Sequence, residues 1–142
     1  MLTNRSIPRA TVIPVLAYPD VNEAAAWLSN AFGFTVRLRI GSHRVQMNVG
    51  DGAIIAREMR PGEDGGWLGH GHSITVRIED ADAHCKRARE CGAQITQEPV
   101  THMYGERQYN ALDLAGHSWT FSQSVEDVHP EEWGGSAELL QL

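Results

Sequence analysis

Short runs in which apolar and polar residues alternate recur along the chain, and two amphipathic stretches interrupt them at matching places. Thr11 to Tyr18 is β-rich and apolar, and Asp20-Val21-Asn22-Glu23 then supplies caps for a helix through Ala24, Trp27, Leu28 and Ala31. Gly33 closes it. Strands are predicted at Phe34 to Ile40, Arg44 to Val49 and Ala53 to Met59, with Gly41-Ser42 and Gly50-Asp51-Gly52 as turns. The pattern restarts with a strand at Ser73 to Glu79 and a helix capped by Asp80-Ala81-Asp82 and ended by Gly92. Strands follow at about Gln94 to Gln97, Glu106 to Leu112 and Ser118 to Ser122. The interval from capping Asp to closing Gly is 13 residues in the first half and 12 in the second. The order β-α-β-β-β thus occurs twice, which points to a duplication around a shared core.

One domain over 1–142 is expected, with repeats at about 10–60 and 72–124, a Gly-rich connecting loop at 61–71 and a tail at 125–142. The acidic end of that tail, His129 to Leu142, reads as a surface appendage. Strand alternation sets Val45, Met47 and Val49 against Arg44, Gln46 and Asn48, and Ile74, Val76 and Ile78 against Ser73, Thr75 and Arg77. Trp119 and Phe121 likewise oppose Ser118, Thr120 and Ser122. The apolar faces need the helices as cover. The polar faces carry few Lys and Glu for solvent-facing sheets, so they are read as a partly enclosed concave surface.

Charge and composition remove several function classes. A formal net charge of −6 disfavours phosphate-backbone binding. No apolar run approaches the ~20 residues that span a bilayer, and Arg5 and Arg9 precede no apolar signal core. A cytoplasmic protein with no nucleic-acid or membrane partner is expected. Cys85 and Cys91 fall six residues apart within one predicted helix, too far along it to pair, and are expected to be free buried thiols.

The double β-α-β-β-β pattern, the helix starts Asp20-Val21-Asn22 and Asp80-Ala81-Asp82, and the closers Phe32-Gly33-Phe34 and Cys91-Gly92-Ala93 resemble the vicinal oxygen chelate superfamily. Tyr104-Gly105-Glu106-Arg107, Asp113-Leu114-Ala115-Gly116-His117-Ser118-Trp119 and Asp127-Val128-His129-Pro130-Glu131-Glu132-Trp133-Gly134 are similar to its glyoxalase/bleomycin-resistance-like branch. The resemblance implies an α/β (α+β) fold. Tandem βαβββ repeats would form two half-barrel sheets around a pocket, with helices on the outer face and homodimers as a common assembly. It covers enzymes and drug binders alike.

The family's enzymes generally hold a divalent metal, and the resemblance maps its ligands to Ile13, about Ala56, Ser73 and Thr120, none a usual donor set. A register slip would bring in His72 and, with further adjustment, Glu58, but would turn Ile74, Val76 and Ile78 into the cavity. His70-Gly71-His72 has only Glu58 or Glu63 as a further ligand and is read as loop. No metal or other cofactor is therefore expected. The candidate ligand-binding residues are Gln46, Asn48, Trp67, Ser73, Thr75, Tyr104, Arg107, Tyr109 and Thr120. Arg107 could hold an anionic ligand group or pair with Asp113 or Glu106. The leading expectation is a metal-independent small-molecule binder that sequesters a drug or metabolite, as in antibiotic resistance. The alternatives are a metal-dependent lyase, isomerase or dioxygenase, and a cofactorless enzyme using Arg107 and Tyr109, or His72.

Overall fold

The computed structural model describes residues 2, 4–63 and 71–136. The first repeat comprises strand β1 (Val15–Tyr18), helix α1 (Val21–Phe32) and strands β2 (Thr35–Ile40), β3 (Arg44–Val49) and β4 (Gly52–Glu58). The second comprises β5 (Ile74–Arg77), α2 (Ala81–Glu90), β6 (Gln94–Thr101), β7 (Glu106–Leu112) and β8 (Ser118–Ser124), and a short 3₁₀ helix follows at Pro130–Trp133. Each repeat folds into its own four-stranded sheet, in the orders β1-β4-β3-β2 (sheet 1) and β5-β8-β7-β6 (sheet 2). In both sheets the first and last strands pair in parallel and the others antiparallel. The architecture is α+β with two βαβββ units, as the alternation predicts. The half-barrels remain open: among the described residues no strand of one sheet pairs with the other.

The helices start alike because their sequences do. Asp20 and Asp80 each accept a hydrogen bond from the backbone N–H three residues on, at 3.0 Å in both cases. Gly33 ends α1 at φ 82°, a left-handed conformation that costs a Cβ-bearing residue about 1–2 kcal/mol. The apolar stripe of α1 (Val21, Ala24, Ala25, Leu28, Ala31, Phe32) and the shorter one of α2 (Cys85, Ala88) merge into one core with Val45, Met47, Trp119 and Phe121. Phe32 lies against Trp119 and Phe121 of the other repeat, with ring centroids 5.5 and 4.7 Å away. Each helix end is also tied to the other repeat. Trp27 Nε1 donates to the Cys91 carbonyl at 2.8 Å, and Arg87 donates to the carbonyls of Asn30 and Ser29 at 2.6 and 3.2 Å. Both cysteines are free, Cys91 lying just past α2.

Several strands start or end a few residues from the sequence reading, most at β1 and β6, where a proline is the cause. β1 begins at Val15, not Thr11, because Pro14 has no N–H for the ladder; its carbonyl still accepts from Ile55 N at 2.9 Å. β6 continues through Pro99 to Thr101, which its edge position permits, and a register irregularity between Gln97 and Val100 spans the proline. The start of the tail is anchored just ahead of β7, where Val125 and Glu126 bond the Gly105 carbonyl, and Trp133 reaches back from the exposed stretch beyond it to Tyr104.

Candidate functional site

On sheet 2 the side chains opposite the core-facing Trp119, Phe121 and Tyr109 form a linked polar surface. Tyr104 Oη donates to Gln108 Oε1 (3.2 Å), Gln108 Nε2 to Ser122 Oγ (3.0 Å), and Ser122 Oγ to Glu106 Oε1 (2.6 Å). Thr120 Oγ1 donates to Asn110 Oδ1 (2.8 Å). The strand registers Gln108↔Ser122 and Asn110↔Thr120 place these groups side by side. A cavity of about 570 Å³ over this surface is lined by Thr75, Arg77, Glu106, Gln108 and Ser122, and by Asp51 from the β3–β4 turn of the other repeat.

The tail builds a second cavity beside it, of about 710 Å³, sharing Arg77 and Glu106 and walled by Tyr104, Val128, Pro130 and Trp133. The Gly105 carbonyl accepts from the N–H groups of Val125 and Glu126 at 2.8 and 3.2 Å. A Cβ on Gly105, at φ 87°, would stand 1.9 Å from the Glu126 carbonyl oxygen, so only glycine permits this approach. Trp133 Nε1 donates to the Val128 carbonyl at 3.3 Å, and its ring meets Tyr104 edge-on at 5.7 Å. Tyr104 in turn stacks on His102 at 4.9 Å. Asp51, Glu106, Glu126 and Asp127 oppose the single guanidinium of Arg77 along the joined cavities, which leaves an acidic surface with an aromatic wall.

The residues singled out from sequence separate into several places. Thr75, Thr120 and Tyr104 border or underlie the polar face of sheet 2, whereas Ser73 is exposed just ahead of β5. Gln46 and Asn48 belong to sheet 1. Gln46 is buried beneath the N-terminal segment: its Oε1 accepts from Arg37 Nη1 and its Nε2 donates to the Ser6 carbonyl at 2.8 Å. Asn48 is exposed. Trp67 and His70 lie outside the described residues.

Arg107 and Tyr109 do share a face of β7, but it is not the cavity face. Arg107 pairs with Asp82 (Nη2–Oδ1 2.9 Å, Nε–Oδ2 3.1 Å), not with Asp113 or Glu106. That pairing holds the Asp82 carboxyl below its usual range. Tyr109 is fully buried, and its hydroxyl donates to His84 Nδ1 at 2.5 Å while His84 Nε2–H donates to the Phe32 carbonyl at 3.1 Å. Burial pushes the Tyr109 phenol far above its ordinary value, with the nearby Cys85 adding to it. A phenol so placed neither reaches a substrate nor sheds a proton near neutrality, so the pair does not form an acid–base couple.

The metal positions implied by the family resemblance do not fit an ion. Ala56 faces the core opposite Leu16 and Val45, and its neighbours on the polar face are Ile55 and Arg57. Thr120 is engaged with Asn110, and Ile13 lines an apolar hollow with Leu2, Ile7 and Pro8. Among the described residues no group of three or more His, Cys, Asp and Glu is placed to hold a metal.

Two buried groups were not singled out as structural from sequence. Asp113 accepts from Tyr18 Oη (2.7 Å), Trp119 Nε1 (3.0 Å), and the backbone N–H groups of Ala115 (2.9 Å) and His117 (3.0 Å). His117 Nε2–H donates to the Ala17 carbonyl at 2.7 Å, joining the two repeats. The Asp-x-x-Gly-His-x-Trp spacing is the signal that could have revealed this knot. His84 had a signal too, standing one turn before Ala88 on the buried stripe of α2.

Two open half-barrels of βαβββ units, a polar sheet face and an aromatic-walled cavity define a paired-repeat α+β scaffold of the glyoxalase kind. The chain belongs to the Glyoxalase/Bleomycin resistance protein/Dioxygenase superfamily, whose profile matches residues 9–121. Its structure is similar to that of TioX from Micromonospora sp. ML1, at 32% identity and a TM-score of 0.66, over 80% of this chain and 98% of that one. It is also similar in fold to a glyoxalase/bleomycin resistance protein/dioxygenase from Alicyclobacillus acidocaldarius, at 12% identity and a TM-score of 0.64, over 84% of this chain and 95% of that one. UcmS2 shares the fold at 20% identity and a TM-score of 0.65, over 82% of this chain and 99% of that one. No curated protein matches the chain. No helix among the described residues is long and apolar enough to cross a membrane.

Proposed function

We propose that this protein binds a planar, cationic small molecule on the polar face of sheet 2, without a metal, and sequesters it in the manner of the family's drug-binding members. The observation that carries the reading is the 710 Å³ cavity walled on one side by the contacting rings of Tyr104 and Trp133. Two aromatic rings supply apolar contact and a cation–π surface, and the surrounding carboxylates outnumber the one arginine. Thr75, Gln108 and Ser122 add neutral hydrogen-bonding groups at the floor. Among the described residues the surrounding carboxylates do not converge with each other or with an imidazole into the set of three or more that a catalytic metal needs, which favours binding over vicinal-oxygen chemistry. We read the protein as a cytoplasmic homodimer, since each half-barrel is open on one side.

Fluorescence anisotropy with ethidium as the planar cationic probe tests the reading. Binding is expected to be saturable and unchanged by EDTA, and to weaken about tenfold in Trp133→Ala. Equal binding by Trp133→Ala, or loss of binding on chelation that added zinc restores, would remove this assignment.

A further inference from the structure

Arg44 of β3 and Arg57 of β4 are direct register partners on the polar face of sheet 1. Like charges set opposite one another across antiparallel strands oppose sheet formation, so such a pair calls for a compensating anion. One is present. Glu63, at the start of the connecting loop, grips the Arg57 fork end-on, with Nη1–Oε1 and Nη2–Oε2 both 2.8 Å. Its Oε1 also accepts from the Arg60 N–H at 2.5 Å. Arg44 is left over: its Nε is buried and has no hydrogen-bond partner among the described residues. His43, Arg44, Arg57 and Arg60 line a cavity of about 280 Å³ in which, among the described residues, Glu58 is the one acidic wall residue.

A guanidinium fork holding a carboxylate side by side with a second guanidinium that has a donor to spare is a recognition geometry for a planar oxyanion. Glu63 reaches it from a loop, not from the strand framework, so it can leave without disturbing a ladder hydrogen bond. We propose that Arg44 and Arg57 form a carboxylate-binding site for a small-molecule acid, and that Glu63 fills it in cis as a displaceable stand-in. The site lies on the other sheet from the aromatic-walled cavity and is opposite in charge, so it stands or falls independently of that assignment.

The test is an NMR titration of the full chain, following the arginine Nε–Hε signals with acetate as the probe and chloride as the control at matched ionic strength. Glu63→Gln, checked for an unchanged backbone spectrum outside the loop, is expected to bind acetate about fivefold more tightly than the wild type, since an internal competitor is removed. Adding Arg44→Gln should abolish that gain. In the wild type, saturating acetate should displace Glu63, moving its side-chain carboxylate signal in step with Arg57. The site is refuted if Glu63→Gln shows no gain, if chloride shifts the same signals equally, or if Arg44→Gln changes nothing. A Glu63 signal that stays fixed while Arg57 responds would likewise overturn the stand-in, and needs no variant to fold.

Discussion

Four donors converge on the carboxylate of Asp113, one of them the hydroxyl of Tyr18, 95 positions upstream. The phenol is pushed well above its ordinary value by burial first, and then by the charge and hydrogen bond of Asp113. Asparagine at this position would keep the shape but turn an NH₂ group toward N–H and O–H donors. Asp113→Asn is therefore expected to cost about 2–4 kcal/mol in urea unfolding. A loss under about 0.5 kcal/mol would show that the four bonds are individually dispensable. The sequence displays the Asp-x-x-Gly-His-x-Trp spacing plainly, but not that Tyr18 completes the set, since that depends on how the repeats pack.

At the scale of elements, the tail is held to sheet 2 at one glycine. Gly105→Ala forces a Cβ into the Glu126 carbonyl at a backbone angle that alanine resists, so the tail should lift away. The expected result is a loss of about 1–3 kcal/mol together with a red-shifted Trp133 emission, read as the difference between Trp133→Phe backgrounds. An unshifted spectrum would show that the tail has other anchors. Most of the fold was legible because period-2 alternation and Asp/Gly punctuation are local signals: β3 and β7 have the boundaries the alternation predicts. The ends set by Pro14 and Pro99 were less so, because proline's effect depends on whether the strand lies at an edge, and sheet order is non-local. The candidate site was legible in its composition and not in its assembly. Tyr104 and Thr75 border the cavities, but Trp133 joins them only through the tail's return, and Asp51 only through the packing of the other repeat. Tyr109 looked like a site residue because alternation assigns residues to faces without saying which face a helix covers.

Across the whole molecule the repeats meet at His84, held between Tyr109 of its own repeat and the Phe32 carbonyl of the other. Desolvation lowers its basicity, the Phe32 carbonyl partly opposes this, and the neighbouring Arg87 adds to the lowering. A histidine whose folded-state value is depressed favours folding most above the unfolded value, near 6.5. As pH falls below that value, the unfolded chain takes up a proton that the folded one resists, and stability declines until the folded-state value is passed. Urea midpoints should therefore drop between about pH 7 and 5, and His84→Gln should flatten that slope. A parallel slope in the variant would place the pH dependence elsewhere. The Asp113 knot bears on how the chain comes into being. On the ribosome Tyr18 emerges 95 residues before Asp113, so the first repeat must wait through that stretch of synthesis with a polar hydroxyl and the apolar flank of Phe32 uncovered. Translation of β7 and β8 releases it from that exposed state, and a ribosome stalled before residue 113 would present an unpaired repeat for chaperones to shield.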